Sequence, residues 1–300
     1  MNKKRQAAKN SKSARKSKSA AKRPVKRSSK SALSIGTSAR NTVKQRVAAM
    51  AEAPQAVCEN DANLQAMLNV LRNKDEPVKV RLAALQSLQA ASFSSIAFES
   101  CRPDYIATLR QVAEDTDMEL RQRVLGLLSR ENDGFAQKKL LEGLQNPEKA
   151  LVPPEKALQL LSYDIHSEAY PVARQIVSNP PNPVAKREAL RLLAADATSA
   201  PMFEKILRDK EETAENRQIS ASALQALKPE SLQENAREML LDKSEFDDIR
   251  ATSLTALTQF GDDTAIAKDK ALLKSVDVMS DEASTTVKQH ARRFLSKYGR

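Results

Sequence analysis

Ala84-Leu85-Gln86-Ser87-Leu88 is the first of six copies of one short phrase: a small or β-branched residue, Leu, two fillers and Leu. Val124-Leu125…Leu128, Ala157-Leu158…Leu161, Ala189-Leu190…Leu193, Ala223-Leu224…Leu227 and Ser253-Leu254…Leu257 follow, and a degenerate copy, Ala291-Arg292…Leu295, closes the series. The second Leu recurs at intervals of 40, 33, 32, 34, 30 and then 38 residues. Leu-x-x-Leu is helical spacing. Helical units recurring at such a period mark a stacked array, in which each unit buries its apolar face only against its neighbours. The predicted fold is all-α, a right-handed α-solenoid of about seven helix pairs.

Apolar stripes place the helices around these phrases. Leu64, Met67, Leu68 and Leu71 lie at i, i+3, i+4 and i+7, one face of a first helix. Asp75-Glu76-Pro77 turns the chain, and Val80, Ala84, Leu85 and Leu88 give the second helix its stripe. Pro103-Asp104 starts the next pair, because Pro fits the first helical turn. Tyr105, Ile106, Leu109 and Val112 share one face there, with Leu120, Val124, Leu125 and Leu128 on the partner. Later first helices are expected to begin near Phe135, Ala169, Pro201, Leu232 and Thr264. Later second helices are expected near Pro154, Pro183, Ala214, Phe246 and Ala283. Val43, Val47 and Met50 make residues 41–51 helix-competent, and Pro54 interrupts them. No segment alternates as a half-buried strand would. The last turn, with Lys288, Arg292, Arg293 and Lys297, is expected to face solvent as a cap.

Charge divides the chain. Of 49 Lys and Arg, 16 lie in residues 1–46 and 33 beyond, whereas all 38 Asp and Glu lie beyond, starting at Glu52. The start of the chain thus carries +16 and the rest −5 within a total of +11. Residues 1–40 are rich in Lys, Arg, Ser and Ala. They hold too little apolar surface to offset ordering entropy and are expected to be a disordered basic arm, with the repeat domain at 41–300. Lys3, Lys4, Arg5, Arg15, Lys16, Lys22, Arg23, Lys26, Arg27 and Lys30 are the candidate polyanion-binding residues. Each phosphate they neutralise releases condensed counterions, so such an arm binds DNA or RNA without sequence preference and with strong salt sensitivity. No aromatic residue is interleaved, and base stacking is not expected. Lys22-Arg23-Pro24-Val25-Lys26-Arg27 resembles a nuclear-import signal. Phosphorylation of the neighbouring serines, such as Ser28 and Ser29, would weaken polyanion binding. The plain alternative is a solubilising or ribosome-associated tail.

The phrase Val80-Arg81…Ala84…Leu88, after the acidic Asp75-Glu76, resembles the second-helix motif of the HEAT-repeat family. Leu120-Arg121…Leu128, Ile249-Arg250…Leu257 and, more weakly, Val287-Lys288…Ala291…Leu295 are similar. The resemblance covers about residues 61–298. It departs where Pro153-Pro154 and Ile219-Ser220 replace the Val-Arg pair, so a continuous arginine ladder is not expected. It implies a curved superhelix with second helices on the concave side, binding proteins and sometimes nucleic acid. The candidate concave-face residues are then Lys79, Arg81, Arg121, Arg123, Lys186, Arg187, Arg191 and Arg250, with Lys156, Arg217, Lys288, Arg292 and Arg293 adding to the basic count. A mildly positive groove of this kind could follow a phosphate backbone. The competing and favoured reading is that Arg81, Arg121 and Arg250 pair with carboxylates in the turns.

Few residues suggest bond-making chemistry. His166 and His290 stand apart from Cys, Asp and Glu at metal-ligand spacing, and they lack the His-Glu pairs of HEAT-like iron oxygenases. Cys58 and Cys101 are in no C-x-x-C spacing and are expected to be separate, reduced, apolar side chains without a disulfide. The six Gly form no phosphate-binding loop. Glu211-Glu212 and Asp262-Asp263 are expected to cap helices. The aromatics Phe135, Tyr163, Tyr170, Phe203, Phe246 and Phe260 are expected to pack between helices. No cofactor or metal is expected.

The expected function is a non-enzymatic scaffold or adaptor, a monomeric array binding a protein partner through its curved face while the arm binds DNA, RNA or another polyanion. The alternatives are a HEAT-like nucleic-acid enzyme such as a DNA glycosylase, or an adaptor at an anionic membrane surface. No apolar run approaches the roughly 18 residues of a membrane span, and no secretory h-region follows the basic start. The expected location is intracellular, cytoplasmic or nucleoid in a bacterium and nuclear in a eukaryote.

Overall fold

The computed structural model describes residues 29–93, 95–163 and 167–299. Among these residues the chain is helical throughout, with no strand. Three short helices open it: α1 (Ser29–Thr37), α2 (Val43–Met50) and α3 (Pro54–Val57). Pairs follow: α4 (Asp61–Arg72) with α5 (Val78–Ser92), then, after the short α6 (Ser95–Phe98), α7 (Arg102–Val112) with α8 (Met118–Arg130). Next come α9 (Gly134–Gln145) with α10 (Pro154–Leu161), α11 (Tyr170–Ser178) with α12 (Pro183–Leu193), and α13 (Ala200–Arg208) with α14 (Ala214–Leu227). The series ends with α15 (Pro229–Leu241) and α16 (Asp247–Phe260), then α17 (Asp263–Lys268) and α18 (Lys270–Glu282) with α19 (Thr285–Tyr298).

The turns fix these boundaries. Asn60, Asp117, Asp133, Asn182 and Thr213 are each extended just before a helix and accept a backbone N–H from its first turn. Asp262 does the same for α17, as expected, but Glu212 instead takes the ammonium of Lys186 and the amide of Asn216. The first Leu of each phrase (Leu85, Leu125, Leu158, Leu190, Leu224 and Leu254) is buried. Each such side chain contributes about 1.5–3 kcal/mol of apolar burial, which repeats along the array rather than concentrating in one core.

The structured body begins earlier than expected. The arm was expected to reach residue 40, yet Ser29–Thr37 is α1, laid on α2 with Ala32 and Leu33 buried. Gly36 allows the close approach, since a Cβ there would lie 2.8 Å from Met50 Cγ. Composition hides this short apolar face among lysines and serines. The arm candidates from Lys3 to Arg27 lie outside the described residues, and Lys30 falls in α1.

From α10 to α19 the second helices pack directly on one another, α10 on α12, α12 on α14, α14 on α16 and α16 on α19. Their first-helix counterparts from α7 to α15 approach each other less closely. Closer approach on one side curves a stack toward that side, so the second helices line its inner face. At the far end, Tyr298 donates to Leu257 O (3.1 Å) and Asp263 (2.8 Å), and Lys297 bonds Thr258 O (2.9 Å). Lys297 is bonded there and still exposed, as are Arg292 and Arg293.

Candidate functional site

The fourth residue of almost every second helix is basic, and it ties its unit to the next. Arg46 on α2 donates from Nε to Gly36 O (2.9 Å) and from both Nη atoms to Glu76 (2.5 and 2.8 Å). Arg81 on α5 donates from Nε to Leu71 O (2.9 Å) and from Nη2 to Asp115 (2.6 Å). Arg217 on α14 bonds Leu207 O (2.8 Å) and both Glu245 oxygens (2.6 and 2.5 Å). In these three rungs the carbonyl lies ten residues back, at the C-terminal end of the preceding helix, where partial negative charge gathers. The carboxylate belongs to the following unit. Lys186 on α12 reaches Glu212 in the same way.

Two rungs differ. Arg121 on α8 bonds carbonyls alone, Leu151 O (2.9 Å), Asp115 O (2.7 Å) and Thr116 O (2.9 Å). Arg250 on α16 meets only Asp247 of its own first turn at 3.7 Å, and its buried Nε finds no acceptor among the described residues. On α10 the position is Ala157, a true gap. The expected interruption at Ile219-Ser220 was misplaced: the rung is Arg217, three residues earlier than the expected Arg position.

Most of the expected concave-face cations are thereby accounted for. Arg81, 2% exposed, lies between units rather than on a groove, and Arg121, Lys186 and Arg250 share its helical position. Arg187 and Arg191 stand on the inner face but share Glu215 (2.6 and 3.4 Å), and Arg191 also meets Glu188 (2.6 Å). Arg123 pairs with Glu119 (2.7 Å). Lys79 is exposed and takes no ion-pair partner among the described residues.

Around α5, α8 and α10, the second-helix side opens into a cavity of about 330 Å³. Gln86 projects from α5, Gln122, Arg123 and Arg130 from α8, Lys156 from α10, and Tyr163 from just beyond it. The Arg130 guanidinium lies 5.7 Å from the Tyr163 ring centroid, a cation–π distance. Lys156 donates to Gln159 (2.8 Å). Tyr163, expected to pack between helices, is 47% exposed, and Phe246 and Phe260 are also largely open, while Tyr170 and Phe203 are buried as expected. A second inner cavity, of about 340 Å³, includes Gln218, Ser222, Thr252, Thr255 and His290 in its lining. Gln218 and Thr252 there bond each other (2.8 and 3.0 Å), and His290 Nδ1 lies 2.8 Å from Thr286 O.

No family model matches the sequence, and no curated protein matches it. Solved structures do. The chain is similar to human deoxyhypusine hydroxylase in complex with glycerol, at 18% identity and a TM-score of 0.34, over 82% of this chain and 98% of that one. It is also similar to the complex of CpcE and CpcF of phycocyanin lyase from Nostoc sp., at 14% identity and a TM-score of 0.38, over 95% of this chain and 100% of that one. These likenesses concern the fold.

They correct one expectation. The non-enzymatic scaffold was inferred from the repeats, the lack of a catalytic constellation in the sequence and the partition of charge, yet a hydroxylase and a lyase are built on a similar helical array. A helix-pair array is therefore no ground for excluding catalysis, and that reading is withdrawn. Among the described residues no group of three or more His, Cys, Asp or Glu is placed to hold a metal ion; His166 lies outside them. No helix among them is long and apolar enough to cross a membrane.

The ladder sets the titration of its acids. Burial alone pushes Asp115 upward, but the Arg81 guanidinium, the Asp117 N–H and the charge of Lys74 outweigh it and hold the carboxyl below its usual range. Glu212 is held down against burial by Lys186 and Asn216, and Asp196 by Ser199, Thr198 and Arg174. A carboxylate with a depressed folded pKa contributes stability that is complete above its unfolded value and is lost as pH falls through the folded one. Acid unfolding is expected to set in below pH of about 4, the ordinary carboxylate range. Asp115→Asn is expected to lower stability at neutral pH and make the acid loss shallower. Far-ultraviolet circular dichroism against pH checks this, and an unchanged acid profile in the variant contradicts it.

Cys58 and Cys101 were expected to be small buried side chains without a disulfide; though 43 residues apart in sequence, they lie close enough for Cys101 to influence the titration of Cys58. Burial first, then the Cys101 contact, pushes the Cys58 thiol up to about 12. Because the thiolate is the nucleophile, Cys58 is expected to react with iodoacetamide far more slowly at pH 8 than free cysteine. A rate equal to that of free cysteine contradicts the contact.

Proposed function

We propose that this chain is a HEAT-type helical array that holds nucleic acid by its phosphate backbone through the basic leader, Lys3 to Lys30. The single observation that supports the reading is the partition of charge. The leader brings cations with no acid among them, while most of the array's arginines are engaged by its own carboxylates and carbonyls. Cations already paired release few counterions when a phosphate approaches, so affinity for a polyanion follows the unpaired ones. The groove beside Arg130 is too local to serve as a phosphate track.

The test is fluorescence anisotropy of labelled duplex DNA and of single-stranded RNA, with the full chain and with a chain starting at Ser29. Removal of residues 1–28 is expected to abolish most of the affinity for both. Equal affinities with and without the leader contradict the reading. Binding restricted to anionic vesicles, with none to nucleic acid, moves the leader to a membrane surface and also contradicts it.

A further inference from the structure

The second-helix face is electrically uneven. On α12 and α14 its cations are matched, Arg187 and Arg191 against Glu188 and Glu215. The cavity between α5, α8 and α10 is not. Arg123 has the carboxylate of Glu119, Lys156 bonds only the Gln159 amide, and Arg130 has the Tyr163 ring but no carboxylate among the described residues. Among the described residues, three cations stand against one acid around a space of about 330 Å³. The side-chain amides of Gln86 and Gln122 open into the same space, and neither bonds another group among the described residues.

These groups select a ligand by chemistry. Guanidinium and ammonium groups attract anions, and Arg presents parallel donors that match a carboxylate. A Gln amide both donates and accepts, which complements a peptide group; phosphate only accepts, so half of each amide's capacity is lost on a nucleic-acid backbone. The cavity is the size of a small-ligand site rather than a track, and the ion pairs Arg81–Asp115 and Lys186–Glu212 stand in the units before and after it. The leader of this chain cannot fill it, because residues 1–28 carry no acid.

We infer that the groove between α5, α8 and α10 binds an extended, carboxylate-bearing peptide segment of a partner protein. Its acidic side chains lie on Arg130 and Lys156, its backbone on Gln86 and Gln122, and an apolar side chain against Tyr163. The inference stands apart from the leader's role and leaves open what else the chain does to the bound segment.

The chain contains no Trp, so Tyr163→Trp in the full-length protein places a single emitter in the groove and leaves the leader silent. A short peptide of alternating Glu and Ala is titrated against it, with a matching Gln and Ala peptide and duplex DNA as the other arms. The account expects a saturable change in emission with the Glu peptide alone. Adding Arg130→Ala or Lys156→Gln is expected to weaken that response by roughly tenfold each, the scale of one charge-assisted hydrogen bond, while DNA affinity measured by anisotropy stays unchanged. Trimming Lys22, Arg23, Lys26 and Arg27 to alanine is expected to do the reverse, which separates this site from the leader. No emission change with the Glu peptide, the same change with the Gln peptide or with DNA, or a response indifferent to Arg130 and Lys156 overturns the inference. The unlabelled chain, followed by peptide anisotropy in saturating DNA, repeats the comparison should Tyr163→Trp disturb the site.

Discussion

Arg217→Ala is expected to lower the unfolding free energy by about 3–5 kcal/mol, the cost of leaving a buried charge without its partner. Arg217 and Glu245 are each 2% exposed at the side chain, and their two contacts are bidentate. The variant strands the Glu245 carboxylate between α14 and α16 and removes the donor to Leu207 O at the end of α13. The pair itself adds little beyond what well-packed apolar groups would, because desolvating two charges offsets much of their attraction. Arg217→Met with Glu245→Leu is accordingly expected to recover most of the loss. Arg250→Ala is the control: its rung is incomplete, with one 3.7 Å contact, and about 1 kcal/mol or less is expected there. Urea unfolding followed by circular dichroism measures all three. A loss for Arg217→Ala no larger than that for Arg250→Ala contradicts the ladder as the tie between units.

The second large effect concerns salt. Residues 1–28 contain 12 Lys and Arg. If about half of them contact phosphate, the logarithm of DNA affinity is expected to fall with that of salt concentration with a slope of about −5. That slope amounts to roughly a thousandfold loss between 50 and 200 mM salt, on the same counterion-release scale. The chain starting at Ser29 is expected to show a slope of about −1 or shallower, since its cations are dispersed among all 38 of the chain's carboxylates. Isotherms at several salt concentrations give both slopes directly. A truncated chain as salt-sensitive as the full one places the phosphate contacts on the array.

The fold was legible because its signal is periodic. Leu85 to Leu88 and the later copies sit at helical spacing, and burial of those leucines repeats unit by unit whatever the surface residues are. Helix starts were readable for the same reason: Asn60, Asp117 and Asn182 are caps with a local mechanism. The site was less legible, because its determinants are not local. Pairing of Arg81 with a turn carboxylate was the favoured reading, but its partner Asp115 lies 34 residues away and nothing in the sequence near either singles that residue out. Arg217 was assigned no rung because the expected motif was set three residues too late, whereas counting from the helix start finds it. Arg130 and Tyr163 escaped notice as a pair since they come from different helix units. The Cys58–Cys101 contact carries no sequence signal at all.

The central claim is that Arg187 and Arg191 on α12 are held by the array's own carboxylates, and that the leader supplies the charge for nucleic acid. Duplex-DNA affinity at one moderate salt concentration tests it, using two full-length variants, one that removes two positive charges from the array and one that removes four from the leader. One carries Arg187→Gln and Arg191→Gln; the other carries Lys22→Ala, Arg23→Ala, Lys26→Ala and Arg27→Ala. The account predicts native affinity for the first and at least about a tenfold loss for the second. Loss in the first with native affinity in the second contradicts it.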